Sequence, residues 1–194
     1  ADEYDRSFLK LSPSFSIINN MDPDHLDIYG SEDEFKKGFN DFAGKLRSGG
    51  KLFYKKDLPL HLESINKFSF CLNDANADIY SENVRIEDGI YIFDYVNKAS
   101  KIYFRNLQSG IPGFHNVENA IAAISVAVEV GLTEEEIRTG LKSFKGVKRR
   151  FEFIINHPKK IFIDDYAHHP EELRAFINSA KALYPGKKIT GAFQ

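Results

Sequence analysis

The sequence predicts an α/β protein: a mostly parallel sheet with flanking helices and an antiparallel β meander, followed by the first βαβ part of a Rossmann-like domain. Strand-like and helix-like runs alternate over residues 15–56, which is typical of a parallel sheet. Residues 67–108 consist of short runs separated by Asn, Asp and Gly, which is typical of antiparallel strands. We therefore expect two domains, over residues 1–153 and residues 154–194.

The first part of the chain predicts a strand, a helix and a second strand. The buried run FSIINN covers residues 15–20, and phenylalanines at helical spacing indicate a helix over residues 32–47. A Ser-Gly-Gly turn ends this helix, and the apolar run KLFYKK over residues 51–56 predicts the next strand. The order strand, helix, strand favours parallel pairing.

The second part predicts two helices and then a βαβ unit. A strongly apolar helix is expected over residues 116–130, and a second helix should begin after Thr133, whose capping box with Glu136 is a helix-start signal. The runs FEFIIN and KIFIDD predict strands. Pro170 lies at the first position of a helix that extends to residue 184, and the closing run KKITGAF predicts a last strand.

Composition limits the function class. Hydrophobic content of 42% and a net charge of -2 are ordinary for a globular protein and create no field that attracts nucleic acid or anionic membrane. No apolar run approaches the roughly 18 residues of a membrane span. The single cysteine, Cys71, lies in the apolar run KFSFCL, as expected of a small core residue in a reducing compartment. We expect a cytoplasmic protein.

The segment IFIDDYAHHPEEL places reactive side chains on a strand-to-helix turn. The carboxyl ends of strands are where α/β sheets bind ligands. Acids, a phenol and imidazoles at such a point suit a site that handles charge and protons, although turn chemistry, with His169 as a helix cap, is an alternative. The candidate residues are Asp164, Asp165, Tyr166, His168 and His169.

The segment NNMDPDHLDIYG follows the first predicted strand and is rich in oxygen ligands. Asp22, Asp24 and Asp27 accompany His25, a set that suits a hard divalent cation such as Mg²⁺ or Mn²⁺. The alternative is a solvated, Asp-rich turn with a backbone that Pro23 restricts.

The segment HNVEN offers carboxamides at the start of the apolar helix. Asn116 and Asn119 are three positions apart and share a helix face. A carboxamide carries a donor and an acceptor, which matches the edge of an adenine ring, and a helix start adds free N–H donors. The alternative is that Asn116 is only the N-cap.

The segment GVKRRFE places Lys148, Arg149 and Arg150 at the expected domain junction. A guanidinium can bind two phosphate oxygens at once and can stabilise the charge that develops during phosphoryl transfer. Clefts between domains commonly host ligands. The alternative is an ordinary solvated run of charge.

No phosphate-binding loop of the form GxxxxGK(S/T) occurs in the sequence. The segments AGKLRSGGK and YPGKKIT lack its spacing and its hydroxyl. We therefore expect either that the protein is no nucleotide enzyme or that this loop lies upstream of Ala1.

In their order along the chain, the segments ADEYDRSFLKL, NNMDPDHLDIYG, PGFHNVENAIAA, GVKRRFEF and DDYAHHP resemble the Mur ligases of bacterial cell-wall synthesis. The resemblance implies a piece of the central ATPase-type domain after its P-loop, then the start of the C-terminal domain. It implies an ATP-dependent amide ligase with Mg²⁺ or Mn²⁺, UDP-N-acetylmuramate and L-alanine as substrates, and an inactive fragment. The alternatives are a recycling ligase that transfers a tripeptide, and a non-catalytic nucleotide-binding domain.

The resemblance also implies roles for individual residues. It makes His25 the metal ligand, and it gives catalytic roles to Arg150, Asp165 and His168. Tyr166 and His168 would contact the substrates. The nucleotide-binding residues implied by the resemblance are His115, Asn116, Asn119, Arg150 and Asp165.

Overall fold

The structure, a computed structural model, describes residues 4–23, 26–61, 63 and 65–192. Within these residues, six strands form one sheet in chain order, and two more form a hairpin. The sheet strands are β1 (Phe15–Ile18), β2 (Lys51–Lys55), β3 (Asn66–Leu72), β4 (Ile79–Glu87), β5 (Ile90–Asn97) and β6 (Ile102–Gln108), and the hairpin strands are β7 (Glu152–His157) and β8 (Lys160–Asp164). The helices are α1 (Leu26–Tyr29), α2 (Glu32–Ala43), α3 (Phe114–Glu129), α4 (Glu134–Ser143) and α5 (Pro170–Leu183), with a 3₁₀ turn at Ser7–Lys10.

The sheet confirms the predicted mixture of parallel and antiparallel pairing. Strands β1 to β4 are parallel to one another, while β4, β5 and β6 form an antiparallel meander. The expectation that β3 belongs to this meander is wrong. Its residue Phe70 pairs in parallel with Ile79 of β4, only nine positions along the chain, so β4 starts beside the end of β3 and needs no crossover helix.

The main core lies between α3 and one face of the sheet. Tyr91, Tyr95 and Phe93 of β5 are fully buried against Val117 and Ile121 of α3. Aliphatic and aromatic burial of this kind stabilises a fold by about 1.5–3 kcal/mol for each side chain. The apolar helix predicted from the sequence is therefore the central packing element.

A second core lies between α2 and β1–β2. Phe35 of α2 packs with Ile18 and Leu52 of the two strands. The helix ends at Ala43, four residues before the predicted end, because the backbone N–H of Arg47 donates to the carbonyl oxygen of a residue outside the helix, Pro13, at 3.0 Å.

Helix α4 begins as predicted. The Thr133 hydroxyl accepts from the backbone N–H of Glu136 at 3.3 Å, and the Glu136 carboxylate accepts from the backbone N–H of Thr133 at 2.8 Å. This reciprocal capping box satisfies two backbone donors at the helix start.

The C-terminal βαβ unit is only partly formed. Strand β8 and α5 are present, but β8 pairs antiparallel with β7, and residues 187–192, predicted as a strand, form none. A strand requires a hydrogen-bonding neighbour, and the Lys187 N–H instead donates to the carbonyl oxygen of Tyr184 at 3.2 Å. Helix α5 packs on the main sheet, where the Tyr91 hydroxyl donates to the Ser179 carbonyl oxygen at 3.4 Å.

Cys71 lies half-buried on β3, as expected of a core residue. Burial raises the pKa of its thiol, and nearby Glu118 and Asp74 act in the same direction. The thiol is therefore neutral at pH 7 and is a poor nucleophile. Within the described ranges, no helix is long and apolar enough to cross a membrane.

Replacing Gly110 by alanine should destabilise the fold, because a Cβ atom would lie against the carbonyl oxygens of Leu141 and Phe144 at the end of α4. We expect a loss of about 1–3 kcal/mol in the free energy of unfolding. Gly140 is the matched control, since outside the backbone of its own helix and its chain neighbours no described atom lies within 4 Å of its Cβ position; there alanine should stabilise α4 by up to about 1 kcal/mol. Urea unfolding measures both, and equal stabilities would contradict the clash.

Candidate functional site

A cleft of about 1250 Å³ lies where the carboxyl edge of the sheet, the start of α3 and the C-terminal unit meet. Asn19 and Lys55 line it from the ends of β1 and β2, and His115 lines it from α3. Arg150 comes from the basic turn (residues 148–151), and Asp165 from the acidic turn (residues 164–169). Five sequence segments thus converge on one cavity.

A glycine fixes the start of α3 at the cleft. Gly113 is the N-cap residue and has φ +114°, a conformation that other residues rarely adopt. A Cβ atom there would lie 2.8 Å from the His115 ring. Because Gly113 caps the helix, the alternative that Asn116 is the N-cap is wrong.

The predicted carboxamide pair lies at the cleft, but each side chain has a partner. Asn116 is buried, and its Nδ2 donates to the Pro112 carbonyl oxygen at 2.6 Å. Asn119 accepts at Oδ1 from Asn19 Nδ2 at 3.2 Å, which joins two segments that are 100 residues apart. Among the described residues, the amide atoms left over are an acceptor on Asn116 and a donor on Asn119.

His115 has a buried ring nitrogen without a partner. Its Nδ1 makes no hydrogen bond to any described residue. Burial lowers the pKa of the imidazole, and Arg150 acts in the same direction, while Asp165 and Glu118 oppose them. The ring is therefore neutral at pH 7, and its buried Nδ1 is a polar atom without a hydrogen-bond partner among the described residues.

An ion pair that the sequence patterns did not predict lines the cleft beside these groups. Lys55 Nζ lies 2.8 Å from Glu118 Oε2, and the Glu118 side chain is only 16% exposed. The sequence feature that indicates such a pair is an acid within the first turns of an otherwise apolar helix, because a buried carboxylate requires a partner.

The acidic turn holds the basic turn through backbone hydrogen bonds. Asp165 Oδ2 accepts from the Phe151 N–H at 2.7 Å, and Oδ1 accepts from the Ala167 N–H at 2.8 Å. The Tyr166 N–H donates to the Arg149 carbonyl oxygen at 2.7 Å. Both oxygens of Asp165 therefore serve the protein backbone.

Arg150 is oriented by an aromatic ring and a carboxylate. Its guanidinium lies 5.7 Å from the centre of the Tyr166 ring, and Nη1 is 3.5 Å from Glu172 Oε1. Glu172 Oε2 also accepts from the His168 N–H at 3.3 Å. Glu172 lies at the third position of α5, from which a side chain can reach back to the residues before the helix.

Tyr166 and His168 lie on the exposed rim of the acidic turn, not among the residues that line the cleft. Tyr166 is 50% exposed, and the two rings are 5.2 Å apart. His168 Nδ1 is 2.9 Å from the Tyr166 carbonyl oxygen. His169 is the N-cap residue of α5, as its alternative interpretation held.

The predicted metal site falls partly outside the described residues, because Asp24 and His25 are not among them. Asp22 is exposed and forms a local turn in which its N–H donates to Asn20 Oδ1 at 2.9 Å. Within the described part of the chain, no three His, Cys, Asp or Glu side chains come together as metal ligands. The role of His25 stays a prediction.

The sequence profile of the Mur ligase middle domain matches residues 2–127, and that of the Mur ligase glutamate ligase domain matches residues 149–193. The first match covers more than half of the chain. The chain therefore belongs to the Mur ligase family.

Two individual relatives show which kind of Mur ligase the chain is similar to. The chain is 46% identical over 194 residues to UDP-N-acetylmuramate–L-alanine ligase of Christiangramia forsetii, and 43% identical over 195 residues to that of Cytophaga hutchinsonii. Each match covers 100% of this chain and 41% of the relative, so the chain spans about two fifths of their length.

Solved structures agree with this placement. UDP-N-acetylmuramate-alanine ligase of Thermotoga maritima matches with a TM-score of 0.78 at 27% identity, over 96% of this chain and 42% of that one. The MurF ligase of Thermotoga maritima in complex with ADP matches with a TM-score of 0.73 at 20% identity, over 90% of this chain and 40% of that one, and shows the shared fold.

Lowering the pH from 7 to 5 should reduce the free energy of unfolding through His115. Its pKa is near 6.5 in the unfolded chain and lower in the folded protein, so the unfolded state gains the proton first. His115→Gln should remove this part of the acid dependence, whereas His61→Gln, at an exposed position, should retain it. NMR titration of the His115 ring checks the cause, and a pKa at or above 6.5 would contradict it.

Proposed function

We propose that this chain is part of a cytoplasmic, ATP-dependent ligase that joins L-alanine to UDP-N-acetylmuramate through an acyl phosphate, in peptidoglycan synthesis. The observation that carries the proposal is the convergence of His115, Asn119 and Arg150 on one cleft. Relatives at 43–46% identity with this enzyme name support it. We place the change from central to C-terminal domain between residues 153 and 154.

The start of α3 would hold the nucleotide base. Asn116 Oδ1 and Asn119 Nδ2 offer an acceptor and a donor, which complement the amino group and ring nitrogen of adenine. His115 lines the same cleft beside them. ATP supplies the phosphoryl group that activates the muramoyl carboxylate.

Arg150 would stabilise charge on the transferring phosphoryl group. A guanidinium keeps its charge at all physiological pH values and can contact two oxygens at once. Tyr166 and Glu172 hold it without burying it, since its side chain is 51% exposed. Loss of a comparable charge-stabilising donor costs enzymes about 10²–10³-fold in rate.

His168 is suited to receive a proton from the incoming amine. A carbonyl oxygen only accepts, so the neutral ring donates from Nδ1 to the Tyr166 carbonyl. This tautomer leaves Nε2 as a proton acceptor on the exposed rim. Tyr166 and His168 would thus act on the amino-acid and muramoyl side.

His25 would hold Mg²⁺ or Mn²⁺ near the phosphates, as the family resemblance implies. The metal would neutralise phosphate charge and so permit the carboxylate to approach. We propose that residues 1–194 alone neither hydrolyse ATP nor ligate alanine, because the sequence contains no P-loop pattern.

A ligation assay with a full-length protein that carries this chain tests the reaction. We expect ATP-dependent addition of L-alanine to UDP-N-acetylmuramate, and loss of activity when EDTA removes the divalent cation. The tripeptide of a recycling ligase, supplied at equal concentration, should be a poor acceptor. Preference for the tripeptide would replace the biosynthetic assignment, and absence of ligation with either acceptor would favour a non-catalytic binding domain.

Asn119→Asp in the full-length protein should raise the KM for ATP by about tenfold, the effect of one lost hydrogen bond of roughly 1.4 kcal/mol. The carboxylate still accepts from Asn19 Nδ2 but no longer donates to the base. Asn106→Asp, on β6 and away from the cleft, is the control. Steady-state kinetics measure the change, and an unaltered KM would remove Asn119 from the nucleotide site.

A further inference from the structure

The start of α3 has little local support. Its N-cap residue is Gly113, and among the described residues no side chain caps the helix. Its first turn also contains no acidic residue, whereas α4 begins with three acids and a capping box. Side-chain caps and first-turn acids are the usual local means of fixing a helix start. The position of the first turns of α3 therefore depends on contacts with other elements.

The ends of β1 and β2 supply two such contacts. The two strands are parallel neighbours, and their register places Asn19 and Lys55 side by side at the carboxyl edge of the sheet. Asn19 Nδ2 donates to Asn119 Oδ1 at 3.2 Å, and Lys55 Nζ lies 2.8 Å from Glu118 Oε2. Two adjacent strands thus hold two consecutive residues of α3.

A second ion pair holds the other end of α3 on the same strand. Lys51 Nζ lies 2.5 Å from Glu129 Oε2, at the start of β2 and the end of α3. Lys51 and Lys55 share one face of β2, because alternate strand residues point the same way. The side chains of Glu118 and Glu129 are equally exposed, at 16%. Of the two pairs, only Lys55 and Glu118 line the cleft.

We propose that Lys55 and Glu118 are positioning residues for the nucleotide base: their ion pair fixes the first turns of α3 and so aims the Asn119 amide into the cleft. The proposal rests on the proposed function of the cleft. Because Glu118 and Asn119 are consecutive, a shift of the helix at one moves the other. A largely buried carboxylate is costly without a partner, so loss of the lysine charge leaves Glu118 free to pull the turn away.

Hydrogen exchange of the full-length protein, measured by mass spectrometry, tests the structural part without an enzyme assay. Glu118→Gln should speed exchange of the amides of residues 117–120 by about threefold or more, since a less constrained turn opens more often. Glu129→Gln should leave these amides unchanged. The amides of β5 are the folding control and should not change in either variant. Unaltered exchange over residues 117–120 in Glu118→Gln would overturn the proposal.

Steady-state kinetics of the same variants test the consequence for the nucleotide. Glu118→Gln should raise the KM for ATP by about fivefold or more, the effect of a disturbed hydrogen bond to the base. Its kcat should stay within about twofold, because the base makes the same contacts in the ground state and in the transition state. Glu129→Gln should leave both constants within about twofold. An equal KM in the two variants, raised or unaltered, would contradict the positioning role.

Double variants test whether Lys55 acts through Glu118 and Asn119. Lys55→Met should raise the KM for ATP as Glu118→Gln does, and the two changes together should add no more than about twofold to either alone, because residues in one network are not additive. On an Asn119→Ala background, Glu118→Gln should likewise add no more than about twofold. Effects of Lys55→Met and Glu118→Gln that multiply would show that Lys55 contacts the nucleotide directly, and the positioning role would be wrong.

The two kinds of measurement separate this proposal from the proposed function. Failure of the wild-type protein to ligate would refute the function of the cleft. Hydrogen exchange would still decide whether the Lys55–Glu118 pair holds the start of α3.

Discussion

The packing of α3 against the aromatic face of the sheet is the interaction on which the rest of the structure depends. Ile121 and Val117 are fully buried against Tyr91 and Tyr95. Ser125 donates to the Ile121 carbonyl oxygen at 2.7 Å, so its hydroxyl oxygen accepts from the Tyr95 hydroxyl at 3.1 Å, which fixes the helix along its axis. These contacts hold α3 against β5, and its first turn meets the carboxyl edge of the sheet.

Local sequence patterns predicted most of the helices and strands. Where the structure differs from the prediction, hydrogen bonds between distant segments are the reason. The capping box of Thr133 and the proline at position 170 act within one turn, so the sequence shows them directly. The direction of β3 depends on the strand beside it, because Phe68 of β3 pairs in parallel with Phe53 of β2. The early end of α2 likewise depends on Pro13, thirty positions upstream, which no helical periodicity reveals.

The same contrast between local pattern and long-range contacts holds for the candidate site. Residue types predicted the cleft members Asn119 and Arg150, because their chemistry is visible in the sequence, while the family resemblance implied His115. Their hydrogen-bond partners were not predictable, since these come from distant segments: Asn19 for Asn119, and Glu172 for Arg150. Sequence patterns therefore identify the groups that bind ligands better than the groups that orient them.

Charged groups from α3 and from the C-terminal unit both act on the His115 ring at the cleft. Glu118 of α3 and Asp165 of the C-terminal unit both favour protonation of this ring, while burial and Arg150 oppose it. A ligand phosphate near Arg150 would offset the guanidinium charge and so favour the protonated ring, by the same Coulomb argument. Movement of the C-terminal unit away from α3 would remove Arg150 and Asp165 together. Because Arg150 and Asp165 act on the His115 pKa in opposite directions, their effects on the ring partly offset one another.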